Sequence, residues 1–345
     1  MRAAVVEAPG RLVVRDLPDP QPGPYQALCE ILYGATCAAT DRHLLEGTFF
    51  LPIAYPGVLG HESLGRVVAV GEQVRHYRVG DLVTRVGAPA YPELGIGICW
   101  GGFAELGLAL DHEAMREAGL PPEAWGAGRV NQVLPADFDP ARATLIITWR
   151  ETYSYLTRLG VGPEARVLVI GSGANGLAFV NHARNRGASQ IVLVGSEARL
   201  PVARAVGAMA AYGYRQEQVA AQVAAECPEG FDYMIDAVGK RGTLDPFLAS
   251  LRTGGAVGIY GVEDFHTMTL MPLRVGGTFT FFNGGYDEAE SHAAVVEFIR
   301  QGRLVADHYL DLARPFPLAD IGEAFAALAR REMIKALIVC RGTPS

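Results

Sequence analysis

The stretch RVLVIGSGANG, residues 166–176, restricts the possible folds of this chain more than any other feature. A strand-like apolar run leads into Gly171, Gly173 and Gly176, and a helix-prone sequence follows. In such a G-x-G-x-x-G turn, the first glycine permits the tight turn and the second lets a pyrophosphate approach the backbone. The third lets the helix pack on the strand. The motif therefore predicts a dinucleotide site at a helix N-terminus.

The texture of the sequence changes at about residue 145. Before it, runs such as SLGRVVAVGEQV and DLVTRVGAP are rich in β-branched residues and broken by Gly and Pro, which favours a mostly-β, antiparallel or barrel-like domain. After it, helix-like segments alternate with buried strands such as QIVLVGS, FDYMIDAVG and GGAVGIYGV. That alternation predicts an α/β domain with a doubly wound parallel sheet. The final KALIVC reads as a strand that returns to the first domain.

Composition limits the partners and the location. Half of the 345 residues are hydrophobic, which is enough for two domains with full cores. The net charge of −7 and the lack of basic clusters argue against nucleic acid and anionic membranes, and so favour a small-molecule ligand. No apolar run approaches the ~20 residues of a membrane span, and the N-terminus lacks a secretory signal, so we expect a cytoplasmic protein. Five scattered cysteines predict ligands or nucleophiles rather than disulfides.

The coenzyme preference is read after the strand QIVLVG, which ends at Gly195. An Asp or Glu at that position would bind the ribose of NAD. Here Ser196 and Arg199 offer a hydroxyl and a guanidinium, which suit the 2′-phosphate of NADP. We therefore expect NADP to be preferred over NAD. Glu197 keeps NAD possible, and Arg199 as an ordinary solvated residue is the alternative.

Several segments together carry a resemblance to a known family. They are YPGVLGHESLGRVVAVGEQVRHYRVGD (55–81), GGFAEL (101–106), VLVIGSGANG, FDYMIDAVG and the closing PLADIGEAFAAL with Lys335. The chain resembles the medium-chain dehydrogenase/reductases, in the branch of zinc-type alcohol, polyol and glucose dehydrogenases. The resemblance implies a GroES-like catalytic domain (1–148 and 286–345), a Rossmann domain (149–285) and an active site in the cleft. Within the coenzyme motifs, Ala174, Asn175 and Val238 complete the predicted contacts.

The resemblance also implies a catalytic zinc held by a Cys, by the His of a Gly-His-Glu and by a third side chain. His61 and Glu62 match the second element directly. Counting back from Thr40 places the family's cysteine at Ala38, whereas counting forward along EILYGATC places it at Cys37. Both registers hold if one residue is inserted after Cys37, which we favour over a lost ligand because the polar groups would otherwise lack their partner. A buried structural thiol is the alternative.

Two further positions follow from the resemblance. Thr40 and His43 match a proton relay, in which a hydroxyl takes the substrate proton and an imidazole passes it on. The third ligand of the family aligns with Ile147, which cannot coordinate a metal. Glu151, one helical turn later, or Glu62 would then complete the site. A solvated Glu151 is the alternative.

The resemblance limits the number of metal ions. Cys99 stands alone in GAPAYPELGIGICWGG, where many relatives carry four closely spaced cysteines. We therefore expect one catalytic zinc per chain and no structural zinc. The apolar segment GGTFTFFNGG (276–285) looks like the family's sheet edge, and it predicts a homodimer or homotetramer.

The predicted function is hydride transfer between a nicotinamide coenzyme and an alcohol, polyol or sugar, or the matching carbonyl compound. Two alternatives stay open. One is a zinc-free, NADPH-dependent reductase of quinones or enones on the same fold, and the other is a nucleotide-binding protein without turnover.

Overall fold

The computed structural model describes residues 1–264 and 271–342. Residues 265–270 and 343–345, which fall within the two predicted domains, lie outside the described part. The chain forms two compact units. Unit 1 comprises Met1–Ile147 with Tyr309–Ser345, and unit 2 comprises Thr148–His308.

The strands are β1 (Arg2–Ala8), β2 (Arg11–Asp16), β3 (Gln26–Ala35), β4 (Gly57–Val58), β5 (Glu62–Val70), β6 (Leu82–Thr84), β7 (Gly97–Ile98), β8 (Leu106–Leu110), β9 (Val133–Leu134), β10 (Arg166–Ile170), β11 (Gln190–Gly195), β12 (Ala210–Gly213), β13 (Phe231–Asp236), β14 (Leu251–Ile259), β15 (Thr280–Phe282), β16 (Phe316–Pro317) and β17 (Leu337–Val339). The α-helices are α1 (Thr40–Glu46), α2 (His112–Glu117), α3 (Pro122–Trp125), α4 (Pro140–Ala143), α5 (Ile146–Leu159), α6 (Ala174–Asn185), α7 (Leu200–Val206), α8 (Val219–Glu226), α9 (His292–Arg300) and α10 (Ile321–Ala329). Short 3₁₀ turns connect several of them.

Unit 1 is mostly β. One sheet has the order β2-β1-β4-β7, and the other has the order β16-β17-β3-β5-β6-β9, with β8 also pairing with β3. Alternate residues of β3 (Ala27, Cys29 and Ile31) enter the apolar core, because side chains along a strand point to opposite faces. In β1, the four consecutive residues 3–6 are all buried. The C-terminal β17 runs antiparallel to β3, so the end of the chain completes the sheet that the first third begins.

Unit 2 is a parallel sheet with crossover helices. Its order is β12-β11-β10-β13-β14-β15, so the first strand of the unit lies in the middle and the chain winds outward in both directions. This is the order of a doubly wound dinucleotide-binding fold, in which ligands bind at the carboxyl ends of the central strands. The predicted α/β class is confirmed, with a mostly-β unit 1 and a doubly wound parallel sheet in unit 2.

The second boundary between the units differs from the one read from the sequence. The sequence places the return to the first domain at residue 286, whereas unit 2 extends to His308. The physical reason is a set of contacts that hold the segment before α9 on α5. Arg150 donates to Glu288 at 2.8 Å, and Ser154 donates to Glu290 at 2.5 Å.

In the part of the chain that the structure describes, none of the helices combines the length and the apolar character that crossing a membrane requires.

Candidate metal and coenzyme sites

Strand register brings three metal-binding side chains together in unit 1. In the antiparallel pair of β3 and β5, Ala35 lies opposite Glu62. Cys37 follows β3 by two residues, and His61 immediately precedes β5. The two segments therefore present their side chains at the same end of the sheet.

Cys37, His61 and Glu62 form one compact group. One ligand atom from each lies within 4.8 Å of the other two. A thiolate, an imidazole and a carboxylate are the side chains that bind Zn²⁺ in proteins. The three ligands predicted from the sequence thus lie close enough together to hold one ion, and their chemistry fits zinc.

Asp41 orients His61. Its Oδ1 lies 3.2 Å from Nδ1 of His61, and its Oδ2 accepts the backbone N–H of Cys37 at 2.8 Å. Burial alone would lower the pKa of His61, but the charge and hydrogen bond of Asp41, with a contribution from Cys37, outweigh burial and raise it to about 10. A carboxylate on one imidazole nitrogen is the usual support for a histidine that binds metal through the other.

Lys335 neutralises Glu62. Its Nζ lies 2.6 Å from both carboxylate oxygens and donates to the carbonyl of Thr36 at 2.9 Å. Both side chains are almost fully buried. Burial alone would lower the pKa of Lys335, but the charge of Glu62 outweighs it and raises the pKa. Glu62 is therefore shared between the ligand group and an internal ion pair.

The contacts of Lys335 and Asp41 with the ligand group were not predicted from the sequence. Lys335 is one of only two lysines in the chain, and it immediately precedes the apolar ALIVC. A lone lysine beside a predicted buried strand was the available signal, since burial of an ammonium group requires an anionic partner. Asp41 lies inside the predicted relay sequence, and no local pattern marked it as a partner of His61.

The loop after β3, where the sequence predicts an inserted residue, forms a helical turn. The carbonyl of Cys37 accepts the N–H of Asp41, and the carbonyl of Ala39 accepts that of His43, both at 3.0 Å. Sγ of Cys37 lies 3.5 Å from Oγ1 of Thr40. Thr40 thus borders the ligand group, while Nδ1 of the buried His43 lies 2.8 Å from Oγ1 of Thr48.

The positions aligned with the third family ligand fall in α5. Ile147 is fully buried and offers no donor atom. Glu151 belongs to unit 2, where its carboxylate accepts the hydroxyl of Tyr260 at 3.0 Å. Metal binding by Glu151 stays a prediction.

The glycine-rich turn of unit 2 has the geometry that a pyrophosphate requires. Gly171 has a φ of +111°, which side chains rarely adopt. A Cβ on Gly176 would lie 1.9 Å from the carbonyl oxygen of Gly171, whereas a Cβ on Gly173 would meet no atom within 4 Å. The backbone is therefore tightly packed at Gly176 and open at Gly173. Helix α6 begins beside Gly173, at Ala174 and Asn175. Val238 borders this turn, with Cγ2 placed 2.9 Å from a Cβ built on Gly171.

Ser196 and Arg199 both follow the end of β11. The N–H of Ser196 donates to Oγ of Ser172 at 2.9 Å, and Arg199 donates to the carbonyl of Ser172 at 3.2 Å. Both residues thus contact the glycine-rich turn. The guanidinium of Arg215 lies 5.3 Å from the ring centre of Tyr214, just after the neighbouring β12. Arg215 is a second cation at this edge of the sheet that the sequence analysis did not select.

Two family descriptions match this chain. One is the alcohol dehydrogenase GroES-like domain, over residues 23–117, and the other is zinc-binding dehydrogenase, over residues 174–296. The first falls in unit 1, which holds the ligand group, and the second falls in unit 2, which holds the glycine-rich turn.

Individual relatives match across both units. A Mycobacterium tuberculosis protein named as a probable zinc-binding alcohol dehydrogenase is 32% identical over 79% of this chain and 71% of its own length. L-galactonate-5-dehydrogenase of Escherichia coli is 26% identical over 98% of both chains. The solved alcohol dehydrogenase of Thermus sp. ATN1 has a TM-score of 0.79 and 27% identity, covering 98% of this chain and 99% of that chain.

The ion pair between Lys335 and Glu62 generates a stability prediction. Lys335→Met should lower the free energy of unfolding by about 3–5 kcal/mol, because it leaves a buried carboxylate without its counter-ion. Urea denaturation in the presence of a chelator measures this effect, and the chelator removes any contribution from bound metal.

Two control variants sharpen this measurement. The double variant Glu62→Gln with Lys335→Met should recover much of the loss, because no unpaired charge remains. Lys240→Met changes the other lysine, which is exposed, and should have little effect. Equal losses for Lys335→Met and Lys240→Met would show that the ion pair does not stabilise the fold.

Proposed function

Because the chain belongs to the medium-chain dehydrogenase/reductase family, we propose that it transfers a hydride between a nicotinamide coenzyme and an alcohol, polyol or sugar, or the matching carbonyl compound. The observation that carries the proposal is the convergence of Cys37, His61 and Glu62 on one point. Relatives named as alcohol and sugar-acid dehydrogenases support the same reaction class.

Different residues of unit 1 would have different roles in such a site. Cys37 and His61, with Glu62, would hold a single zinc ion, and Asp41 fixes the orientation of His61. A bound zinc supplies Lewis acidity, which polarises the substrate oxygen and lowers its proton affinity.

A proton must leave the substrate hydroxyl as the hydride leaves its carbon. Thr40 borders the ligand group, which supports a role for its Oγ1 in accepting this proton. His43 lies three residues later on α1, hence on the same helical face, and takes the proton from Thr40. Both side chains can donate and accept, as a relay requires.

Two other functions make different predictions about the same residues. A zinc-free quinone or enone reductase would be fully active after exhaustive chelation. A nucleotide-binding protein without turnover would bind coenzyme yet transfer no hydride to any alcohol or carbonyl compound. The donor set of the ligand group favours the zinc enzyme, since a thiol, an imidazole and a carboxylate lie within 4.8 Å of one another.

We further propose that NADP is preferred over NAD. Neither Gly195 nor Ser196 offers a carboxylate, and Arg199 and Arg215 supply positive charge in the segments that follow β11 and β12. A 2′-phosphate carries negative charge and accepts hydrogen bonds from guanidinium groups. Glu197 in the following turn keeps NAD as the alternative.

The coenzyme proposal is tested by Arg199→Ala. We expect kcat/KM for NADP(H) to fall about tenfold or more, because a charge-assisted hydrogen bond to the 2′-phosphate is lost. The value for NAD(H) should change little, since NAD lacks that phosphate. Arg204→Ala, which removes an exposed arginine from α7, is the matched control. A wild-type enzyme with a large advantage for NAD(H) would overturn the preference.

The metal proposal is tested by zinc content and turnover together. Purified protein should contain about one zinc per chain. Cys37→Ser and His61→Ala should lower both zinc content and turnover, because a hydroxyl replaces a thiolate poorly and a methyl group cannot bind at all. Thr40→Ala should retain zinc and slow only the proton-coupled step.

Cys227→Ser is the matched control for the metal test, because this buried thiol lies in unit 2, outside the ligand group. It should retain zinc and turnover. Full activity of zinc-free wild type, with an indistinguishable Cys37→Ser variant, would instead favour the zinc-free reductase.

We propose that two copies of the chain associate through β15. Among the described residues this strand ends the sheet of unit 2, and Phe281 on it is 48% exposed. An unpaired apolar strand edge favours pairing with a second copy. The proposal covers a homodimer, or a homotetramer built from such dimers.

The oligomer proposal is tested by Phe281→Lys. A lysine on each copy would place like charges at the paired edge, so the variant should be monomeric by light scattering at micromolar concentration. Met209→Lys changes an exposed apolar residue at the opposite edge of the same sheet and should leave the assembly unchanged. A wild-type protein that is monomeric under these conditions would contradict the oligomer proposal.

A further inference from the structure

Trp100 lies beside the candidate metal ligands. Its ring centre is 5.5 Å from that of His61, and the planes are inclined by 53°. The side chain is 44% exposed, which is unusual for so large an apolar group. A substrate whose oxygen approaches an ion held by Cys37 and His61 must bring its reacting carbon close to this ring.

The backbone fixes Trp100 in a conformation that side chains rarely adopt. Its φ is +68°, in the left-handed region. The neighbouring N–H groups of Cys99 and Gly101 both donate to the carbonyl of Val58, at 2.7 Å and 3.1 Å. Such strain persists only where the surrounding structure imposes it, and it concentrates at functional sites.

Two glycines allow close backbone packing around the loop that contains Trp100. A Cβ on Gly87 would lie 2.2 Å from the carbonyl oxygen of Trp100, and a Cβ on Gly101 would lie 2.5 Å from that of Ala88. The N–H of Ala88 donates to the carbonyl of Gly101 at 2.9 Å. The indole is therefore presented by a packed loop.

Other apolar side chains extend the surface away from the ligand group. Phe49 meets the edge of Trp100 at 5.8 Å and 89°, and Phe50 lies 4.8 Å from Phe49. The segment from Phe49 to Ile53, with Tyr55, lines an open pocket beside them. A continuous aromatic path thus runs from His61 to this pocket.

We infer that Trp100 and Phe49 form the wall that receives the carbon skeleton of the substrate, and that they select alcohols and aldehydes with an aryl or extended alkyl substituent. This inference rests on the proposed function and narrows its substrate class. Aromatic rings gain from offset or edge contacts with another ring. A polyol would bury several hydroxyl groups against aromatic faces, which pair with few of them, and burying an unpaired hydroxyl is costly.

The test compares benzyl alcohol and 1-hexanol with sorbitol. Wild type should have the higher kcat/KM for the first two, by about 100-fold, the order by which an apolar pocket rejects an added hydroxyl. Trp100→Ala should lower kcat/KM for benzyl alcohol about tenfold or more and change that for sorbitol little. Trp100→Phe should retain most of the activity on benzyl alcohol, because it preserves an aromatic face.

Controls separate the wall from general damage to the fold. Leu94→Ala removes another exposed apolar side chain of unit 1, outside the pocket, and should match wild type. Zinc content and Tm should be equal for Trp100→Ala and Leu94→Ala. A loss of zinc in Trp100→Ala alone would mean that the ring supports the metal site, and the inference would fail.

Binding measured without turnover separates the inference from the proposed function. Calorimetric titration of benzyl alcohol should give weaker affinity for Trp100→Ala than for wild type. If Trp100→Ala binds benzyl alcohol more weakly but the wild type turns over none of the three alcohols, the aromatic wall is supported and the proposed dehydrogenase function is overturned. Two results would overturn the inference about the wall while supporting the dehydrogenase function. They are a higher kcat/KM for sorbitol than for benzyl alcohol, and equal activity of wild type and Trp100→Ala on benzyl alcohol.

Discussion

The buried ion pair between Lys335 and Glu62 is the contact on which the arrangement of unit 1 depends. It joins the start of β17 to the start of β5, two segments separated by 273 positions in the sequence. Burying either charge alone would be costly, so the pair specifies one pairing of these strands with β3. A slip of one residue in β17 would turn its side chains to the opposite face, which fixes the register as well.

The same pair sets the charge of the candidate metal site. Lys335 balances Glu62, but the carboxylate of Asp41 is also fully buried and faces His61. The excess of negative charge is what raises the pKa of His61 despite its burial. A cation bound between Cys37 and His61 would offset this negative charge. The electrostatics of the site and its donor atoms are therefore both consistent with a bound metal ion.

Local patterns were sufficient for much of the fold. The glycine spacing around Gly171 and the alternation of strands and helices predicted the doubly wound sheet, and the structure confirms it. The resemblance brought Cys37, His61 and Glu62 together as ligands, and the structure places them in one group. The partners of these ligands were not predictable, because no sequence period relates Glu62 to Lys335. The grouping of residues 286–308 with unit 2 was not predictable for a similar reason, since the pattern of α9 defines an apolar face and not the unit that covers it.

The spacing between Cys37 and Asp41 has a geometric consequence for the ligands, and the insertion after Cys37 stays a prediction. Asp41 lies four positions beyond Cys37, and their backbones form the hydrogen bond of a helical turn. Residues with this spacing lie on one face of a helix. Asp41 can therefore accept the N–H of Cys37 with one carboxylate oxygen while the other faces His61. One carboxylate thus contacts both predicted ligands, so a loop with one inserted residue, as the sequence predicts, is compatible with a retained metal site.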